Sequence, residues 1–93
     1  MDKVEKMQMM DKMLRELEDI TNSQTSLLKK IAQVEADNIN LGNRVLESKL
    51  PEIHAHVDDS LIAATSLKTE FNEVRDKFVS DNKLGETLPE ANV

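Results

Sequence analysis

No cysteine, tryptophan or tyrosine occurs in this 93-residue chain, and Phe71 and Phe78 are its only phenyl side chains. Without cysteine there can be no disulfide, zinc–thiolate site or thiol nucleophile, a composition that fits a reducing compartment. Without large aromatics, a lone compact core of this length is short of buried area, which small domains lack already. Long hydrophobic runs are missing too. Nothing approaches the roughly 20 apolar residues of a membrane span. The opening stretch MDKVEKMQMMDKML is charged throughout and lacks the apolar segment of a signal peptide. These absences predict a cytoplasmic protein with no membrane span. Basic runs are absent as well: twelve Lys and Arg are interleaved with eighteen Asp and Glu, for a net charge of -6. Phosphate backbones are gripped by clustered cations, so no nucleic-acid partner is expected.

What the chain does contain is heptad spacing. Met10, Met13, Leu17, Ile20, Gln24, Leu27, Ile31, Val34, Asn38, Leu41, Val45 and Ser48 alternate steps of three and four. The a positions are Met10, Leu17, Gln24, Ile31, Asn38 and Val45; the others are d. A second series runs through Leu50, Ile53, Val57, Ser60, Ala64, Leu67, Phe71, Val74 and Phe78, with Leu50, Val57, Ala64, Phe71 and Phe78 at a. The registers do not join, and the breakers lie at the mismatch. Gly42-Asn43 reads as a helix stop, and Pro51 as a residue of a first helical turn. The pattern predicts an all-α fold: a two-helix hairpin over 1–84 with heptad, coiled-coil-like packing. Its helices run at about 4–41 and 51–82, with a turn at about 42–50. One long helix kinked at Pro51 is the alternative. Gly85, Pro89 and the loss of periodicity predict a disordered tail over 85–93.

Flanking charges test the first helix as a parallel homodimer. Lys30 would face Glu35 of a second copy, a favourable pair, and Arg44 would face Lys49, an unfavourable one. The balance does not specify that dimer. Extra apolar residues widen the face instead: Leu14 and Leu28 at e, Met9 at g, Ile39 and Leu46 at b. Such a helix touches more than one neighbour. Asn38 and Gln24 interrupt the stripe. One reading makes them specificity devices, because a buried amide tolerates only a partner that bonds it. On that reading, Leu at either position raises stability and degrades selectivity. In the other reading Asn38 lies near a frayed end and is hydrated.

Catalytic chemistry is hard to find. His54 and His56 point to different faces of a helix. His54 with Asp58 makes at most half a metal site, and first-turn residues near a helix N-terminus account for the cluster more simply. The serines are scattered, with no nucleophile elbow. Two glycines cannot build a phosphate-cradling loop, and two helices give no concave pocket. No enzyme, cofactor or metal is expected. Met7, Met9, Met10 and Met13 could form an adaptable binding surface or simply pack.

The function expected is that of a non-enzymatic scaffold or adaptor subunit in a helical assembly. Its partners are other helical subunits, with unlike ones favoured over further copies. The partner-facing residues are those of both series, leaving out Val45, Ser48, Ser60 and Ala64. An alternative comes from the size and the Gly42 turn, which resemble in layout the hairpins of the Trp-x-Gly family of small secretion substrates. Here Asn40-Leu41-Gly42 stands where that family has its tryptophan. The resemblance implies a secreted protein or its secretion partner. A phage or viral accessory protein that binds a host complex is a third reading.

Overall fold

A computed structural model describes residues 1–86. It contains two helices packed as a hairpin, α1 (Lys3–Leu41) and α2 (Arg44–Asp81), followed by a short 3-10 helix, η1 (Leu84–Glu86). The described residues include no strand. The all-α hairpin expected from the heptads is the fold.

Each helix begins on a residue chosen for it. Asp2 caps α1: its carboxylate accepts from the Glu5 amide at 2.7 Å, and Glu5 in turn accepts from the Asp2 amide at 3.0 Å. This reciprocal box satisfies two amides the helix cannot. Gly42 ends α1 with φ 70°, and its N–H donates to the Asn38 carbonyl at 2.7 Å. Glycine reaches this left-handed region without a steric cost.

The connection is much shorter than the 42–50 read from the breakers. Only Gly42 and Asn43 separate the helices. The Asn43 side chain accepts from the amides of Val45 at 3.0 Å and Leu46 at 3.1 Å, so α2 starts at once. Pro51 therefore lies inside α2, not in its first turn. Its ring removes one donor from the ladder, and its exposed position spares it the core. Asp58 and Asp59 consequently fall in the middle of α2, away from its N-terminus.

At the other end Asn82 closes α2. Its backbone and side-chain nitrogens both donate to the Phe78 carbonyl, at 3.2 and 2.8 Å. Gly85 belongs to η1, and Leu84 beside it is buried. The remainder of the tail expected over 85–93, from residue 87 on, lies outside the described residues.

The molecule is a rod of 61 × 23 × 18 Å. Little of it is inaccessible. Met7, Ile31 and Leu84 are the buried apolar side chains among the described residues, and none is completely so. Two helices alone cannot enclose a core: each side chain in the seam has a neighbour on one side and water on another.

Candidate functional site: an unpartnered apolar face

The heptads make the seam between the helices, but through a different pair of stripes. Positions a and e turn inward. On α1 the half-buried or buried residues at these positions are Met10, Leu14, Leu17, Thr21, Gln24, Leu28, Ile31, Glu35 and Asn38, with Met7 at the open end and Asp11, at b, beside them. On α2 they include Leu50, His54, Val57, Leu61, Ala64, Lys68, Phe71, Arg75 and Phe78. The d stripes, read from sequence as the other half of the same seam, point away from it. Met13, Ile20, Leu27, Val34 and Leu41 on α1 are exposed, as are Ile53, Leu67 and Val74 on α2.

The reason is angular. Positions a and e are about 40° apart around a helix, and a and d about 60°, so a wide apolar sector offers either pair. The pair observed, a with e, is the one that also brings opposite charges together. Two ion pairs and one histidine–carboxylate contact cross the hairpin on the edge formed by b and e. The Arg75 guanidinium meets Asp11 at 2.8 Å, Lys68 meets Glu18 at 3.6 Å, and His54 Nδ1 lies 3.1 Å from Glu35 Oε1. Asp11 is the main reason that the guanidinium is held above its ordinary pKa, with Asp76 adding to it and burial opposing. A seam through a and d would leave these charges apart. His54 is thus engaged across the hairpin, away from Asp58.

Antiparallel geometry brings both d stripes to one side. A groove of about 290 Å³ is lined by Met13, Leu17 and Ile20 of α1 together with Leu67 and Phe71 of α2, with Glu16 at its rim. One long edge of the hairpin is therefore closed by charge, and the other opens onto a hydrocarbon face. Of the four methionines near the start, Met7 and Met10 turn inward while Met9 and Met13 turn out.

The amides are explained by the chain itself. Asn38 is 8% exposed, neither hydrated nor waiting for a partner. Its Nδ2 donates to the Asn43 carbonyl at 3.0 Å, and its Oδ1 accepts from the Asn43 amide at 2.9 Å. Asn38 is a clamp on the two-residue turn. The signal was present in the sequence as an asparagine five residues before Asn43 across a glycine. Spacing alone does not distinguish a clamp from a register device.

Gln24 Nε2 donates to Ser60 Oγ at 2.5 Å, but its Oε1 is buried without a partner. A buried carbonyl left unbonded costs about 1–3 kcal/mol. Gln24→Leu removes that oxygen, and exposed Ser60 can turn to water. A melting temperature higher by about 4–8 °C is expected from a gain of about 1 kcal/mol, read by thermal circular dichroism. A lower one would show that the bond to Ser60 outweighs the orphaned oxygen.

No described helix is long and apolar enough to cross a membrane. The fold and face define a class, the all-α helical hairpin with one open apolar side. Compared with known protein families, curated proteins and solved structures, the chain matches none.

Proposed function

We propose that this chain is a non-enzymatic interaction module whose d-stripe face receives further helical protein, so that the hairpin forms part of a helical bundle. The observation that carries this reading is the clustering of Met13, Ile20, Leu27, Val34, Ile53, Leu67 and Val74 on one side while the cross-helix charges hold the other. Scattered exposed apolar residues are ordinary on any protein; a contiguous stripe on two adjacent helices is characteristic of interaction surfaces. Adding helices to this face also supplies burial that the hairpin lacks.

The test is a double variant, Leu27→Glu with Leu67→Glu. Both side chains are about half exposed, at 45% and 53%, so the hairpin itself tolerates the change. Helicity by circular dichroism at low concentration should stay near wild type. Proteins captured from the native source by the wild-type chain and identified by mass spectrometry should be lost to the variant. Capture and self-association both unaffected by the two glutamates would refute the reading.

A further inference from the structure

Resting on the reading of that face as a docking surface, we infer that its occupant is a second copy of this chain. The copies meet face to face, each helix lying antiparallel to its own counterpart, with the turns at opposite ends. The observation is a two-fold symmetry written into the face. On α1 the exposed d residues are Met13, Ile20, Leu27 and Val34, with Leu41 beside the turn and beyond the symmetric stretch. The four away from the turn have their midpoint between Ile20 and Leu27. On α2, Ile53, Ser60, Leu67 and Val74 have their midpoint between Ser60 and Leu67. One rotation axis must serve both helices, so the two midpoints have to lie at one level of the rod. They do: the Gln24–Ser60 hydrogen bond and the Lys68–Glu18 ion pair bracket that level. Rotation about it sets Ile20 over Leu27 of the second copy and Met13 over Val34, and small Ser60 makes room for Leu67.

The g positions, on the outer rim of the face, agree with this axis. Ser23 and Ala63, both small, fall at the centre, where each copy approaches itself. Glu16 falls opposite Lys30 of the second copy, and His56 opposite Glu70. Lys49 would meet Lys77, but each already has an acid on its own helix: Glu52 at 3.6 Å from Lys49 and Asp81 at 2.9 Å from Lys77. The other two-fold arrangement has its axis along the rod and places α1 over α2. It sets Glu16 against Glu70 and Lys30 against His56, leaving Asp37 with Lys49 as its one opposed pair. With Lys49 and Lys77 occupied by their own acids in either arrangement, Glu16 decides: it meets Lys30 in the crossed arrangement and Glu70 in the other, so charge favours the first without any contribution from His56. The parallel pairing of Lys30 with Glu35 does not bear on this face, because Glu35 is turned into the hairpin toward His54.

The area is sufficient. The stripe is roughly 32 Å long at the helical rise and about 20 Å wide, giving on the order of 1,300 Å² buried in total, within the range of specific interfaces.

The experiment is sedimentation velocity across a concentration series, from low to high micromolar. It compares the wild type, Glu16→Lys, Lys30→Glu and the combined swap, with circular dichroism to confirm equal helicity. The wild type should be a dimer at the upper end. Each single change should weaken the dimer by about tenfold, because both symmetric pairs turn repulsive, and the swap should restore it. Strengthening by Glu16→Lys would place the axis along the rod and overturn the crossed arrangement. A swap that fails to restore association would overturn it too. A wild-type monomer at every concentration would overturn the second copy as occupant. The docking reading would then stand or fall separately on capture by wild type against the Leu27 and Leu67 variant.

Discussion

Asn38→Ala is expected to lower the melting temperature by roughly 8–20 °C, the shift that a loss of about 2–3 kcal/mol produces in a chain this small. The substitution removes both bonds to Asn43, at 2.9 and 3.0 Å, from a turn with no spare residue. Net worth is about 1 kcal/mol for each bond, and the lost packing of a buried side chain adds to it. Asn38→Leu refills most of the volume but restores neither bond, so it too should destabilise, by about 1 kcal/mol. Read as a wrongly placed amide in a hydrophobic stripe, this residue would give the opposite sign with Leu. Thermal circular dichroism of the two variants at matched concentration decides the matter. A Leu variant more stable than wild type would mean that the clamp contributes nothing.

Ile31→Ala should cost about 3 kcal/mol, near the middle of the range for truncating a buried aliphatic side chain. The effect on this protein is larger than the figure suggests. Ile31 is 7% exposed and one of three apolar residues buried to that degree among the described residues, whereas domains of this size are stable by only about 5–14 kcal/mol. Melting should begin well below that of the wild type, and urea unfolding should shift to lower midpoint with little change in slope. Val34→Ala is the matched control: three residues on, 41% exposed and on the open face, it should change stability by about 0.5 kcal/mol or less at concentrations where the chain is monomeric. Equal losses at positions 31 and 34 would refute the assignment of a to the seam and d to the open face.

Helix existence and type were legible in the sequence because a period of three and four residues is a one-dimensional signal. So was the division into two helices, because the two registers fail to join beside Gly42. The length of the connection was not. Pro51 is the louder breaker, and its tolerance inside α2 depends on an exposed position that spacing does not reveal. The cap that starts α2, Asn43, draws its weight from bonds to Val45 and Leu46 that become visible only in three dimensions.

The apolar sector on each helix was likewise determined by sequence alone: side chains at a, d and e share one side of any α-helix, wherever that helix goes. Which part of the sector faces the partner helix was decided by tertiary structure. Sequence cannot rank a with d above a with e when both are apolar, since the choice rests on residues far apart along the chain. Arg75 and Asp11, Lys68 and Glu18, and His54 and Glu35 come together only in one rotation of the helices. That rotation closes one edge with charge and turns Met13, Ile20, Leu27 and Val34 outward beside Ile53, Leu67 and Val74. Local spacing made the helices amphipathic; contacts between residues far apart in the chain fixed which of their apolar stripes remained free.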